Sequence, residues 1–354
     1  MFGVVWHTVA LVFGLIAFAP VRFGDLGSHP HASAGYAESV ARVVALRSAE
    51  DSIVAPGGRS ILLSHGHRTA RAVILFHGLT DSPLQFLPFA QQLYEDGDNV
   101  FVPRVPHHAE RAGNMKTMGR LTAQQLRDLG DAAVDVAQGL GDTLIVAGLS
   151  LGGTVAAWTG QYRPEVRRIV LIAPALAPSH VPRRLERAVV RVALRVPNVR
   201  RSEPRDSTEP DRLPGWATHA VAQTFILGDV VRSAAGSRSP QAHDVAFLLS
   251  AHDRTISNSA AFDLARRWTE HGANVSAYEF SDTLRLPHDV VDPRHPGSDT
   301  SAVYPVLAAL IDGVQPPSWA VDVSTSIRPL RRTLASSSPA LPSTSPGPRS
   351  QPRQ

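Results

Sequence analysis

The 354-residue chain contains no cysteine. That excludes a disulfide framework, a thiol nucleophile and any zinc site built on thiolates. Lysine is almost missing too. Lys116 is the only one, so the net charge of +4 and the pI near 9.9 rest on arginine. The arginines are scattered, with one denser run at 183–201, and no aromatic side chains interleave with them as a nucleic-acid surface requires. Nucleic acid is therefore not an expected partner. There is no internal repeat and no Gly-x-x-x-x-Gly-Lys loop, which removes the signature of nucleotide chemistry. His65 and His67 share the turn Ser64-His-Gly-His67 but bring no His-Glu-x-x-His pattern and no carboxylate. They read as surface-turn residues, and no metal is expected.

What is present is a globular composition, 43% hydrophobic and 19% charged, with two unusual ends. Residues 2–19 carry no formal charge and are barely long enough to cross a bilayer. They are expected to be part of a membrane anchor or signal-like segment over 1–22. Pro20 directly after Ala17-Phe-Ala19 opposes cleavage, which favours an uncleaved anchor and membrane association. Arg22 alone flanks the run, so the side of the membrane stays open, with a cytoplasmic placement as the alternative. From Pro316 to Gln354 the chain is dominated by Pro, Ser, Thr and Arg and is expected to be a disordered tail. Residues 34–315 then form one domain.

Within that domain strand and helix patterns alternate. Ala34–Leu46 suits a helix, and Ser60–Leu63, Arg71–Phe76 and Asn99–Val102 suit strands. Leu84, Phe86, Phe89, Ala90 and Leu93 mark a helix, as do Leu126, Leu129, Ala133, Val136 and Leu140 after the capping box Thr122-Ala-Gln-Gln125. After the strand Arg168–Ala173 the alternation is lost over about 174–240, which reads as an inserted cap. Inside it Leu185, Val189, Val192 and Val196 share one helical face while Arg187, Arg191 and Arg195 share another. That helix reads as a solvated cap element, with anionic lipid binding as the sharper alternative. Alternation returns with strands at 244–250 and 274–280 and a last helix at about 301–312.

The stretch around which the chain is organised is Gly148-Leu149-Ser150-Leu151-Gly152, a Gly-x-Ser-x-Gly at the end of an apolar run and the start of a small-residue helix. A strand-to-helix turn of this kind forces the serine into strained backbone and leaves it exposed, while Gly148 and Gly152 let neighbouring backbone pass without a Cβ. The helix start then favours negative charge developing on a bound carbonyl oxygen. His77-Gly78-Leu79 ends an earlier strand, where one N–H, that of Leu79, can face the N–H of Leu151 as an oxyanion hole. Asp253 and His288 each follow a separate later strand, in the order serine, acid, histidine. Asp282 and Asp289 compete for the acid role; lying on the histidine's own connection, they rank below Asp253. His107 and His108 compete as bases but precede the acid in the chain.

These residues resemble the α/β-hydrolase superfamily, and within it bacterial carboxylesterases and monoacylglycerol lipases. The resemblance rests on Leu75-Phe-His-Gly-Leu-Thr80, Ala147-Gly-Leu-Ser-Leu-Gly-Gly153 and the strand ends at Asp253 and His288, and covers about residues 58–313. It implies a mostly parallel sheet flanked by helices with an inserted helical cap. It also implies acyl transfer to Ser150 with His288 as base and Asp253 orienting it, no cofactor, and a small-molecule or lipid ester as substrate. Ser250-Ala-His-Asp253 lacks the glycine often found three residues before the acid, and the loop at Pro103 lacks a Gly-His-Gly turn common in the lipases. A peptidase or carbon–carbon bond hydrolase would share these motifs, and a non-catalytic binding protein is the remaining alternative.

Overall fold

The computed structural model describes residues 24–55, 57–111, 115–202, 211–213 and 215–327. The expected anchor at 2–19 and residues 328–354 lie outside the described residues. Among those described, no helix is long and apolar enough to cross a membrane.

The first half runs α1 (Tyr36–Glu50), β1 (Ile61–Leu63), β2 (Thr69–Phe76), α2 (Leu87–Glu95), β3 (Asn99–Val102), α3 (Ala123–Leu140), β4 (Gly141–Leu149), α4 (Leu151–Tyr162) and β5 (Val166–Ile172). A segment follows with α5 (Arg183–Arg195), a small hairpin of β6 (Arg200–Ser202) and β7 (Gly215–Ala217), and α6 (Thr218–Ala234). The chain then forms β8 (Asp244–Ser250), α7 (Asn258–Glu270), β9 (Asn274–Phe280), α8 (Thr300–Asp312) and β10 (Ala320–Asp322). Eight strands make one sheet in the order β1–β3–β2–β4–β5–β8–β9–β10. The six inner strands are parallel, and only the edges β1 and β10 run antiparallel.

The sequence pattern explains this layering. Inner strands covered on both faces need apolar side chains at successive positions, and the last six residues of β4 are all buried. Alternate residues feed two cores. Ile74 and Val146 join one with Leu126, Val155 and Leu264, while Val73 and Ile145 join the other with Phe89, Val303 and Leu307. Helix α4 is apolar on nearly every face because it is buried on nearly every face. Its small residues allow the close approach, since a Cβ on Gly153 would lie 3.0 Å from Pro174. At its end the buried Arg163 ties α4 to α3 through Asp131 at 2.9 Å and Asp135 at 2.7 Å.

The cap segment is of two kinds. Helix α5 has no buried residue, and Leu185 and Val189 are each 43% exposed. Helix α6 instead belongs to the main helix layer, burying Ala220, Ile226, Leu227 and Val231. The expectation of a disordered tail from Pro316 needs correction at its start. Residues 316–327 are folded: β10 pairs with β9, and Ala320 and Ile327 are buried. A few apolar side chains spaced among Pro and Ser suffice there, because an existing sheet edge supplies the partner.

Candidate active site

The parallel strands β2, β4, β8 and β9 end on one side of the sheet, and the loops that follow them meet there. The turn after β4 holds Ser150 at φ 57° and ψ −114°, a left-handed conformation that costs a non-glycine residue energy. Neighbouring backbone leaves little choice. A Cβ on Gly148 would overlap the Gly152 carbonyl, and one on Gly152 would overlap the carbonyl of Phe76. The Ser150 N–H donates to Ile172 O at 2.9 Å, and the Ser150 carbonyl accepts from Thr154 and Ala175, each at 3.0 Å. The serine turn is thus clamped between β2 and β5.

The strand-end acid and histidine are together. His288 Nδ1 lies 2.6 Å from Asp253 Oδ2, and the Thr255 N–H donates to Asp253 Oδ1 at 2.7 Å. Burial alone would raise the Asp253 carboxyl, but the His288 hydrogen bond and the N–H groups of Thr255 and Ile256 outweigh it and hold it below the ordinary carboxylate range. His288 Nε2 is buried without a hydrogen-bond partner among the described residues. With Nδ1 donating to the carboxylate, Nε2 carries the lone pair. Asp282 and Asp289 are engaged elsewhere. Asp282 is exposed against His252 at 2.9 Å, and Asp289 accepts from Gln85 Nε2 at 2.8 Å.

The loop after β2 is held by a network that sequence reading did not find. His77 Nε2 accepts from the Val105 N–H at 3.0 Å, so Nδ1 carries the proton and donates to Gly78 O at 2.9 Å. Burial first, then His108, keeps His77 well below its usual range and neutral. Gly78 O also accepts from the Asp81 N–H at 3.3 Å, closing a turn. Because Gly78 C=O and Leu79 N–H belong to one planar peptide unit and point oppositely, fixing the carbonyl aims the N–H. The Gly78 N–H donates to Gln85 Oε1 at 2.8 Å. Neither the Leu79 nor the Leu151 N–H is spent on another group among the described residues. Gln85 could have been noticed as a polar residue between Leu84 and Phe86 in an apolar helix pattern.

His107 and His108 do not join Ser150. His107 pairs with Gln125 and Glu110, whereas His108 is buried between the carbonyls of Pro106 and Leu79. Burial lowers the His108 ring to about 4 against the opposing pull of those two carbonyls, and the side chain serves to hold the loop. His65 stacks on Tyr94 with ring centres 4.1 Å apart, a packing role.

Ser150, His288, Leu79 and Leu151 all line one cavity of about 490 Å³. Its lining includes the apolar Trp216, Val221, Phe225 and Ile256 and the polar Thr80, Asp81 and Arg212. The buried carboxylates of Asp81, Asp289 and Asp292, the first two lining the cavity, each bring an oxygen within 4.8 Å of the others. Asp289 and Asp292 already accept from backbone N–H groups and from Gln85 and Arg294, which leaves little for a metal ion to bind.

Residues 67–279 match the family described as serine aminopeptidase, S33. A thermostable monoacylglycerol lipase from Bacillus sp. (strain H-257) is 30% identical over 110 residues, which is 29% of this chain and 40% of the lipase. The match thus spans about two fifths of that relative. Among solved structures, a metagenome-derived lipolytic enzyme of the LipS and LipT pair aligns with TM-score 0.55 and 19% identity over 73% of this chain and 99% of its own. The monoacylglycerol lipase of Paleococcus ferrophilus aligns with TM-score 0.53 and 17% identity over 72% and 98%. Likeness at these identities concerns the fold.

Proposed function

The chain belongs to the serine aminopeptidase S33 family, on the α/β-hydrolase fold, and from that premise we propose that it cleaves carboxylic esters through an acyl-enzyme on Ser150. The observation that carries the proposal is the His288–Asp253 pair at 2.6 Å, with His288 lining the same cavity as the strained Ser150. His288 Nε2 takes the proton from Ser150 Oγ as Oγ attacks the carbonyl carbon, and Asp253 stabilises the imidazolium. Charge on the former carbonyl oxygen is met by the N–H groups of Leu79 and Leu151. The intermediate collapses, the leaving alkoxide takes the proton from His288, and a water deprotonated by the same nitrogen frees the acid. No step calls for a cofactor.

An ester suits this site because an alkoxide leaves more readily than an amide nitrogen, and the apolar lining of Trp216, Val221 and Phe225 suits an acyl chain. A lipid ester, with the segment 2–19 holding the protein at a membrane, is the form of the proposal most consistent with the lipase relative. The test is hydrolysis of p-nitrophenyl esters of graded acyl length beside aminoacyl p-nitroanilides, with fluorophosphonate labelling. Ester turnover and label should both vanish in Ser150→Ala. Persisting label in that variant, or cleavage confined to the anilides, would overturn the assignment.

A further inference from the structure

The cap segment at residues 211–213 is stitched to the loop that carries the Leu79 N–H. The Leu213 N–H donates to Thr80 O at 2.8 Å, Arg212 Nε lies 3.3 Å from Asp81 Oδ2, and Ser82 Oγ donates to Asp211 Oδ2 at 2.7 Å. Arg294, from the loop after His288, reaches the same Asp211 at 3.2 Å and Asp292 at 2.7 Å. One short piece of the cap therefore bridges two loops of the site, one bearing the oxyanion N–H and one bearing the base.

The charges explain why the bridge matters. Asp81 is buried within reach of Asp289 and Asp292, and its Oδ1 has no hydrogen-bond partner among the described residues; the nearest cation to that oxygen is Arg294 at 3.8 Å. Arg212 is the cation on the other oxygen. Asp81 also supplies, through its own N–H, one of the bonds that hold Gly78 O and so aim the Leu79 N–H.

We propose that Arg212 is a positioning residue through which the cap holds the oxyanion loop: its pairing with Asp81 offsets the repulsion from Asp289 and Asp292 and keeps the Gly78–Leu79 peptide in its catalytic orientation. This rests on the reading of Leu79 as an oxyanion donor. Without Arg212, an ionised Asp81 is pushed away from the other two carboxylates and the turn it closes is disturbed. Protonating Asp81 relieves the same repulsion. Burial and the neighbouring carboxylates already push the Asp81 carboxyl well above its usual range, against the pull of Arg212 and Arg294. The groups facing it are Asp289, Asp292 and Arg294 from the histidine loop and Arg212 from the cap, with Asp211 behind Arg294 and His295 lining the same cavity.

The experiment compares the full-length enzyme with Arg212→Gln, Asp81→Asn and the double variant. It measures kcat and KM on a p-nitrophenyl ester, and the rate of fluorophosphonate labelling, across pH, with thermal midpoints alongside. Arg212→Gln should lower kcat and the labelling rate by about tenfold to a hundredfold with KM changed by less than about threefold. That defect should deepen as pH rises, because the neutral Asp81 is lost. In the Asp81→Asn background, Arg212→Gln should add almost nothing, since the charge it offsets is gone. Additive losses, a change confined to KM, or a defect independent of pH would overturn the proposal. If the wild type hydrolyses no ester, the function reading fails alone, because labelling still reports Ser150 and the oxyanion hole whatever the natural substrate.

Discussion

The serine turn and the outer cap helix α5 are held by opposite kinds of force. At the turn, backbone packs on backbone: Gly148 and Gly152 leave no room for a Cβ, and hydrogen bonds to Ile172, Thr154 and Ala175 clamp Ser150. In the cap, α5 has no fully buried residue; it rests Val190 and Leu194 part-buried against the core and adds ion pairs, the exposed Arg187 to Asp229 at 3.0 Å and the more sheltered Arg232 to Glu186 at 2.7 Å. Steric packing fixes position to a fraction of an ångström and tolerates almost no change, whereas exposed charge pairs tolerate much. A side chain that must keep one position, as Ser150 does, sits on the first kind of support.

The sharpest test on the rigid side is the acid. Asp253→Asn removes the group that sets the His288 tautomer and should cut turnover by about 10³ to 10⁴-fold with little change in KM, by analogy with the serine-protease template. Asp282→Asn, altering an exposed pair with His252, should stay within about tenfold. Steady-state kinetics on one ester decide between them, and a dead Asp282→Asn with a healthy Asp253→Asn would reverse the roles. Next in size is Gly152→Ala. Its Cβ meets the Phe76 carbonyl, so the expected cost is about 3 kcal/mol or more, seen as a thermal midpoint lower by about 6 to 12 °C. A midpoint within two degrees of wild type would mean that the turn yields more easily than its packing implies. The smallest effect belongs to the cap. Arg187→Met breaks a pair exposed on both sides and should move the midpoint by no more than about 2 °C, an effect that added salt should erase in the wild type.

The same division decides what could be read from the chain. Strands and the serine turn were legible because buried strands must be apolar and only glycine fits where Gly148 and Gly152 sit. The order of Ser150, Asp253 and His288 was legible because each follows a different parallel strand. The loop network of His77, Gln85, Asp81 and Arg212 was not, since it joins residues far apart in sequence through polar side chains that have no period. Arg212 lies in a stretch that reads as part of the cap, and nothing in its neighbours announces Asp81. The edge strand at Ala320–Asp322 was hidden by its proline- and serine-rich surroundings. Three residues do not make a pattern; the exposed edge of β9 makes the strand.

The central position of β4 also sets the order in which a newly made chain becomes an enzyme. The serine turn is built from β2, β4 and β5 with the few residues after it, all within the first 175 residues. His288 and Asp253 lie far downstream, on loops after β9 and β8, and β9 is bordered by a strand that arrives later still. The residues of the serine turn therefore leave the ribosome well before Asp253 and His288. On the proposed mechanism, hydrolysis waits for the last strands of the sheet to be made.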